Sequence, residues 1–210
     1  MNHHLKLTYF DMAGRAEPTR LALTIAGVPF EDDRVSWGQW PSIKTTVPFH
    51  QLPVLHVDGQ VLCQSHAIAR YVGSLTGLYP EGNKLLACRV DEVSDYVEDI
   101  MRTIYATVHD KDPGNTKAMC TKLAAVTLPE MFGLLDARLA DTGVNSPWFL
   151  SGMTVADLDV YCMVAFIKSK FLDHLPVNLC DDYPKIMGIF KAVASHPAVI
   201  AWNKAHTKVE

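Results

Sequence analysis

Apolar and polar residues alternate at the start of the chain and then recur at helical spacing. The alternation over residues 5–9 predicts a first β-strand. Glu17-Pro18 is typical of a first helical turn and predicts a helix that runs to Gly27. Residues 30–35 predict a second, charged strand near a sheet edge. The chain therefore opens with a strand, a helix and a strand.

A tight hairpin and the start of a helix are predicted within residues 51–72. Val54–Val57 suits a short strand, Asp58-Gly59 is a dipeptide that two-residue hairpin turns prefer, and residues 61–63 supply the return strand. Gln64-Ser65 then opens a helix, because apolar residues recur behind it at helical spacing. They are Ile68, Tyr71, Val72 and Leu75. Since the first N–H groups of a helix lack partners within it, this segment predicts an anion-binding site.

Strand patterns disappear in the second part of the chain. Residues 78–83 break both periodicities and are the best candidate for a linker. An apolar stripe beyond it predicts a long helix that faces a core. The stripe consists of Val90, Val93, Val97, Ile100 and Ile104. An all-helical second domain is therefore expected.

Further helices are predicted towards the C-terminus. One covers residues 123–139 and contains Pro129, which predicts a kink or a break. Another begins near Thr154, where residues 154–157 resemble a capping box with Asp in place of Glu. Shorter helices are expected from Pro184 and from Pro197.

Composition narrows the class of protein. The chain has 210 residues, of which 49% are hydrophobic, enough for one large domain or two small ones, and two are favoured. A net charge of −4 without a basic face argues against nucleic-acid binding. The longest apolar run, residues 160–167, is far shorter than the roughly 20 residues of a membrane helix, and the N-terminus lacks a signal pattern. Because the 5 cysteines contain no C-x-x-C, we expect no disulfide framework or zinc site, and a cytoplasmic protein.

Three motifs, in this order, resemble those of the cytosolic glutathione S-transferases. They are residues 6–17 (K-L-T-Y-F-D-M-A-G-R-A-E), Leu52-Pro53, and residues 64–71 (Q-S-H-A-I-A-R-Y). The Tyr-Phe pair followed by Gly-Arg-Ala-Glu is most similar to the sigma class. The resemblance is strong over residues 5–77. It is coarser beyond, where the helix spacing, the Asp99 region and the Thr154 cap still agree.

The resemblance implies a fold and an assembly. Residues 1–77 are expected to form an α/β, thioredoxin-like, glutathione-binding domain, and residues 78–84 a linker. Residues 85–210 are expected to form an all-helical domain that supplies the electrophile site and dimer contacts. The implied protein is a homodimeric enzyme that detoxifies hydrophobic electrophiles with glutathione as its co-substrate.

The resemblance assigns the chemistry to Tyr9 and Arg15. Glutathione brings its own thiol, which with a pKa near 8.5 is only about 3% ionised at pH 7. Lowering that pKa by roughly two units makes the thiol mostly thiolate, a differential stabilisation of about 2.7 kcal/mol. The motif implies that the Tyr9 hydroxyl donates to the sulfur and that Arg15 adds a positive field. By spacing alone, Tyr9 also fits an ordinary strand residue with a surface hydroxyl.

The other glutathione-binding residues also follow from the resemblance. Leu52, before a cis Pro53, is expected to pair with the cysteinyl backbone, and Gln64 and Ser65 to hold the γ-glutamyl carboxylate. Ser65 also fits a simple helix cap. The residues expected at the glycyl carboxylate are Trp40, Lys44 and Gln51, although a loop tryptophan also fits plain packing. Asp99 of the partner subunit is expected to bind the γ-glutamyl ammonium.

The sequence gives less information about the electrophile site. Phe10, Met12, Arg15, Met101 and Tyr105 are the residues expected to line it, although Met and aromatic residues at helical spacing also fit a core. Asp95, Glu98 and Asp99 form an acidic cluster that in prostaglandin-isomerising relatives can hold a divalent cation. A solvated acidic face fits this chain better, so no metal is expected.

Two other functions remain open at this stage. One is a glutathione-dependent isomerase or peroxidase, although those isomerising relatives carry a Trp where this chain has residues 105–107, Tyr-Ala-Thr. The other is a non-catalytic relative, such as a crystallin-like protein or a carrier of hydrophobic ligands.

Overall fold

The computed structural model describes residues 3–108, 112–172 and 174–206. The strands are β1 (Leu5–Phe10), β2 (Glu31–Val35), β3 (Val54–Val57) and β4 (Gln60–Cys63). The first helices are α1 (Glu17–Ile25), α2 (Trp40–Ile43), α3 (Ser65–Thr76), α4 (Lys84–Val108) and α5 (Pro113–Lys122). The later ones are α6 (Leu128–Ala140), α7 (Val155–Lys168), α8 (Pro184–Ala194) and α9 (Pro197–His206). Short 3-10 turns cover Gly14–Ala16, Lys44–Thr46 and Pro48–His50.

The four strands form one mixed sheet in the order β2-β1-β3-β4. β1 runs parallel to β2 and antiparallel to β3, and β3 and β4 form the predicted hairpin. Its two turn residues, Asp58 and Gly59, both have positive φ (49° and 87°), as a two-residue hairpin turn requires. The return strand begins at Gln60 because that residue pairs with Val57. This is the thioredoxin-like arrangement that the resemblance implies.

The chain divides into two compact units, one reaching to Gly82 together with the segment from Pro197, and one spanning Asn83–His196. The sequence-based division assigns all of residues 85–210 to the helical domain, whereas α9 packs on α1 in the first unit. The indole N–H of Trp202 on α9 donates to Glu17 Oε1 at 2.7 Å. The Trp202 ring also lies against Phe30, with centroids 6.1 Å apart. These contacts explain why α9 belongs with the N-terminal unit.

The second unit is helical, as predicted. All five residues of the α4 stripe are buried, with at most 4% of their surface exposed. Residues Leu123–Thr127 form a π-helical segment just ahead of Pro129, and the Leu128 N–H bonds to the Leu123 carbonyl. The helical stretch nevertheless continues from Gly114 to Ala140, so the predicted break is wrong. The π-helical segment replaces regular α-helical bonding just ahead of the proline, which has no N–H for a regular helical bond.

The start of α7 confirms the predicted capping box. Asp157 Oδ2 accepts from the Thr154 N–H at 2.7 Å and from the Thr154 hydroxyl at 2.8 Å. Asp157 Oδ1 accepts from the Phe149 N–H at 2.7 Å. Because Asp157 is fully buried, these bonds satisfy polar groups that water cannot reach.

Among the described residues, Gly114–Ala140 is the one helical stretch whose length and hydropathy alone would allow it to cross a membrane. Four residues of its α6 part are buried in the helical unit. They are Leu128, Phe132, Leu135 and Leu139. A core-facing helix of a globular unit meets the same two criteria, so this stretch is weak evidence for a membrane span.

Candidate active site

The turn between β1 and α1 determines the surroundings of the Tyr9 hydroxyl. Tyr9 is the penultimate residue of β1 and is only 7% exposed. Its hydroxyl oxygen accepts a hydrogen bond from the backbone N–H of Arg15 at 3.2 Å. An oxygen that accepts such a bond becomes a stronger donor through its own proton, because hydrogen bonds in series polarise one another. The local chemistry therefore suits donation to an anion.

Gly14 allows this turn to close over the phenol. Its φ is +49°, and a Cβ atom at this position would lie 2.7 Å from the Tyr9 hydroxyl oxygen. Real Cβ contacts essentially never come within 3.0 Å. The glycine belongs to the motif that carries the resemblance, but sequence reasoning gives it no role of its own.

Arg20 is hydrogen-bonded to the same turn, a role that the sequence alone did not reveal. Its side chain is fully buried on α1. The guanidinium donates to the Met12 carbonyl at 2.7 Å and to the Ala13 carbonyl at 3.2 Å. It also forms ion pairs with Asp32 (2.8 Å) and Glu17 (3.1 Å), and its central carbon lies 5.7 Å from the centroid of the Tyr9 ring. Arg20 thus ties the loop after β1 to the helix and to β2.

A cavity of about 370 Å³ opens beside Tyr9 in the N-terminal unit. Its lining consists of Tyr9, Phe10, Arg15, Trp37, Trp40, Lys44, His50, Gln51 and Leu52. Six of these residues are among those expected for glutathione or its thiol, although they lie in separate parts of the sequence. The fold therefore brings residues of β1, the turn after it, the α2 region and the segment before β3 together at one cavity.

A smaller cavity, of about 30 Å³, adjoins the first and shares three of its lining residues. Its lining consists of Arg15, Pro48, Phe49, Gln51, Leu52, Pro53, Cys63, Gln64 and Ser65. The peptide bond between Leu52 and Pro53 is cis, as expected. Among the described residues that line the two cavities there is no Asp or Glu, whereas Arg15 and Lys44 are cationic. Such a lining suits an anionic ligand.

The N-terminus of α3 lies at the smaller cavity. Gln64 occupies the cap position with a positive φ of 74°, and Ser65 is the first helical residue, so the simple cap interpretation of Ser65 is wrong. Regular helical bonding begins with the Ile68 N–H, which donates to the Gln64 carbonyl. The first N–H groups of a helix carry the positive end of its dipole. A carboxylate is a matching ligand for them.

Cys63 lines the smaller cavity but is a poor nucleophile. Burial raises the pKa of its thiol above the ordinary value. The side chain therefore stays a neutral thiol at pH 7, whereas the thiolate is the reactive form. The shift therefore gives no support to Cys63 as the nucleophile of this site.

Aromatic rings cover one side of the larger cavity. Phe10 packs edge-on against Tyr9 at 5.4 Å and edge-on against Trp40 at 5.6 Å. Trp37 stacks flat on Phe10, with ring centroids 4.1 Å apart. Sequence reasoning names Phe10 and Trp40 as site residues but not Trp37. Met12 lies in the loop after β1, where its backbone carbonyl bonds to Arg20.

The remaining predicted residues belong to the helical unit. Asp99 on α4 lines a cavity of about 360 Å³ within that unit. The other lining residues are Glu92, Val93, Asp95, Tyr96, Leu134, Leu135 and Arg138. Met101 is half-buried on α4, and the Tyr105 ring packs edge-on against Phe166 at 5.4 Å. Among the described residues, no group of three His, Cys, Asp or Glu side chains is arranged to hold a metal ion.

Comparisons with known proteins match nearly the whole chain to members of one family. The glutathione S-transferase N-terminal domain family matches residues 5–74, and the corresponding C-terminal domain family matches residues 98–206. The chain is 33% identical to hematopoietic prostaglandin D synthase of Gallus gallus, covering 97% of this chain and 96% of the relative. It is 35% identical to glutathione S-transferase 1 of Ascaris suum, covering 83% and 85%. The structure of monomeric Na-GST-3, a glutathione S-transferase of Necator americanus, matches with a TM-score of 0.84 and 30% identity over 99% of each chain.

Proposed function

The chain belongs to the glutathione S-transferase family, and from this premise we propose that it joins the glutathione thiolate to hydrophobic electrophiles and serves detoxification in the cytoplasm. One observation carries this proposal. Tyr9, whose buried hydroxyl accepts from the Arg15 N–H at 3.2 Å, lines the larger of two adjoining cavities, and the described lining of both contains no acidic residue.

Glutathione would lie along these two cavities with its ends held by different elements. Gln64, Ser65 and the N-terminus of α3 bind the γ-glutamyl carboxylate through neutral donors. The backbone of Leu52 pairs with the cysteinyl unit. Trp40, Lys44 and Gln51 bind the glycyl carboxylate, and the cation of Lys44 strengthens those hydrogen bonds. This arrangement is supported by the shared lining of the two cavities.

Tyr9 then stabilises the sulfur as a thiolate. Its hydroxyl proton points to the anion, and the Arg15 guanidinium supplies positive charge from the opposite end of the same turn. Donors that are already oriented toward the developing charge stabilise it more than freely rotating water molecules do. The sulfur attacks the electrophile once the thiol proton has left for solvent.

The electrophile is proposed to bind on Phe10, Met12 and Arg15 of the N-terminal unit. Phe10 supports this assignment, since its ring packs against Tyr9. Apolar and sulfur-containing side chains give an adaptable surface, which suits a range of hydrophobic substrates.

A homodimer completes the site in this proposal, with Asp99 of one subunit binding the γ-glutamyl ammonium in the other. Two features support a second copy as the partner. Asp99 lies at a cavity of about 360 Å³ that includes apolar residues. Phe49 is 71% exposed, so its ring is available for a contact with a second copy. One similar structure is described as monomeric, so the assembly itself needs a test.

The test of the proposed chemistry is the variant Tyr9→Phe. With 1-chloro-2,4-dinitrobenzene as electrophile, we expect kcat/KM to fall by about 100-fold, the usual effect of removing one well-placed donor to an anion. The KM for glutathione should change little, and the bound thiol should ionise at higher pH. Tyr71→Phe removes a hydroxyl from a residue that lines neither cavity and serves as the control. Full activity in Tyr9→Phe would refute the assignment.

A second candidate is an isomerase, because a prostaglandin D synthase is 33% identical over 97% of this chain. In that case the same thiolate acts on an endoperoxide. The sequence Tyr105-Ala106-Thr107 lacks the tryptophan expected of such enzymes and weakens this alternative. Product analysis with a prostaglandin endoperoxide, beside a lipid hydroperoxide and 1-chloro-2,4-dinitrobenzene, separates the three reactions.

A further inference from the structure

The indole of Trp202 on α9 is hydrogen-bonded to the first residue of α1. Its N–H donates to Glu17 Oε1 at 2.7 Å, although the two residues are 185 positions apart. The half-buried ring also stacks on Phe30, with centroids 6.1 Å apart, and on His206, with centroids 3.8 Å apart. These four residues belong to the same compact unit. Packing of the ring requires no N–H group, so the hydrogen bond to Glu17 is a separate feature of this contact.

The Glu17 carboxylate connects Trp202 to Arg20. Its Oε2 atom accepts from Arg20 Nη1 at 3.1 Å, while its Oε1 atom accepts from the indole. The Glu17 side chain is only 13% exposed, and that of Arg20 is fully buried. Bonds to charged groups are strong where water is largely excluded. The indole N–H therefore helps to fix the orientation in which the carboxylate meets the guanidinium.

Arg20 is bonded in turn to the loop that follows Tyr9. The same Nη1 atom donates to the Met12 carbonyl at 2.7 Å and to the Ala13 carbonyl at 3.2 Å. Ala13 lies two positions before Arg15, whose N–H donates to the Tyr9 hydroxyl at 3.2 Å. Because a guanidinium is planar and rigid, any rotation that follows the carboxylate also moves the donor of both carbonyls. Hydrogen bonds thus run without a gap from α9 to the turn beside the phenol.

We propose that Trp202 is a positioning residue for the transfer reaction, because its N–H orients the carboxylate that holds Arg20 against the turn beside Tyr9; the inference rests on the proposed function of this site. The Nε–H of Arg20 also donates to Asp32 at 2.8 Å, which keeps the guanidinium in place without Trp202. Loss of the indole N–H should therefore displace the turn only slightly. Since a misplacement of about 1 Å can cost about 100-fold in rate, we expect a loss of about three- to tenfold.

The variant Trp202→Phe keeps an aromatic ring against Phe30 and removes the N–H donor. The measurement is kcat/KM for 1-chloro-2,4-dinitrobenzene at saturating glutathione, over a range of pH. At about pH 6.5 we expect the three- to tenfold loss, because less of the bound thiol is ionised. Above about pH 9 a thiol is mostly ionised without help, so the loss should fall below about twofold. Trp148→Phe makes the same change at a half-buried tryptophan of the helical unit and should leave the profile unchanged.

Glu17→Gln interrupts the same series of hydrogen bonds at its middle, and it tests the proposal even if Trp202→Phe does not fold. A neutral amide cannot form the ion pair with Arg20, so Glu17→Gln alone should show the same pH-dependent loss. In the Glu17→Gln background, Trp202→Phe should cost less than about a further twofold, because effects that act through shared contacts are not additive.

Three results would overturn the positioning role of Trp202. They are an equal loss at every pH, as from a smaller amount of folded enzyme, no loss in Trp202→Phe or in Glu17→Gln, and the same loss from Trp202→Phe in both backgrounds. A different result concerns the wild type. If its bound thiol ionises at the pH of free glutathione, or if it turns over no electrophile, the proposed function itself is wrong and the role of Trp202 is wrong with it.

Discussion

Gly14 lies directly against the phenol of Tyr9: a Cβ atom on Gly14 would come within 2.7 Å of the hydroxyl oxygen and 2.8 Å of Cε1. The backbone of Gly14 also has a φ of +49°, a conformation that residues with a side chain seldom adopt. The turn that places the Arg15 N–H beside the Tyr9 oxygen therefore requires a residue without a side chain at position 14. The Gly14 backbone and the Arg15 N–H thus both lie beside the hydroxyl.

Gly14→Ala should displace the phenol or open the turn. A misplacement of about 1 Å at a reacting group can cost about 100-fold in rate, and we expect a loss of that order in kcat/KM with 1-chloro-2,4-dinitrobenzene. Gly27→Ala is the matched control, since Gly27 also has a positive φ (65°) but no atom within 4 Å of an added Cβ. Both variants lose stability, and Gly27→Ala keeps its activity. Equal activity in the two variants would contradict the steric argument.

Arg20→Met should destabilise the protein strongly. It removes the cation from Asp32 and Glu17 in a fully buried position and leaves the Met12 and Ala13 carbonyls without their donor. Removing one partner of a buried ion pair costs about 3–5 kcal/mol, which urea denaturation measures directly. Arg34→Met breaks another ion pair of the same Asp32, but the Arg34 side chain is 23% exposed, so we expect a loss of about 1 kcal/mol or less. Similar losses of stability in both variants would contradict the argument that the burial of Arg20 makes its ion pairs more important.

The elements that the sequence predicts well are those whose cause is local. The hairpin at Asp58-Gly59 is predicted because these two residue types tolerate the positive φ that the turn requires. The cap at Thr154 is predicted because Asp157 follows it three residues later. The irregular bonding ahead of Pro129 follows from a missing N–H, although the predicted break does not occur. In each case the interacting groups lie within one turn of chain, so a short sequence pattern is sufficient evidence.

The features that the sequence does not predict depend on distant partners. Arg20 looks like a polar residue on an amphipathic helix, and its burial requires Asp32 on the neighbouring strand and carbonyls of the β1–α1 turn. The assignment of α9 requires a hydrogen bond between Trp202 and Glu17, which are 185 positions apart. Trp37 gives no local sign of whether its ring is packed or exposed. The combination of an arginine on the first helix with an aspartate on the next strand is a signal that could have been sought in advance.

Phe49→Ser should weaken the proposed homodimer. Phe49 is 71% exposed, so its removal costs little within one chain, whereas loss of a buried anchor at an interface commonly costs 2 kcal/mol or more, about a 30-fold weaker association. Leu85→Ser is the matched control because Leu85 is also 71% exposed. Sedimentation equilibrium over a range of concentrations measures the association constant. A wild-type monomer, or an unchanged dimer in Phe49→Ser, would exclude Phe49 as a dimer contact.

A mixing experiment tests whether Asp99 acts across the dimer. Tyr9→Phe and Asp99→Asn are each expected to be poorly active, the first through loss of the thiolate donor and the second through a higher KM for glutathione. If each site takes Tyr9 from one subunit and Asp99 from the other, a mixed dimer has one site with both substitutions and one intact site. Equal amounts of the two variants, unfolded and refolded together, should then recover about one quarter of wild-type activity, since half of the dimers are mixed. If Asp99 serves its own subunit, every site carries one substitution and mixing recovers nothing, so the absence of recovery with dimers demonstrably formed would rule out the shared site.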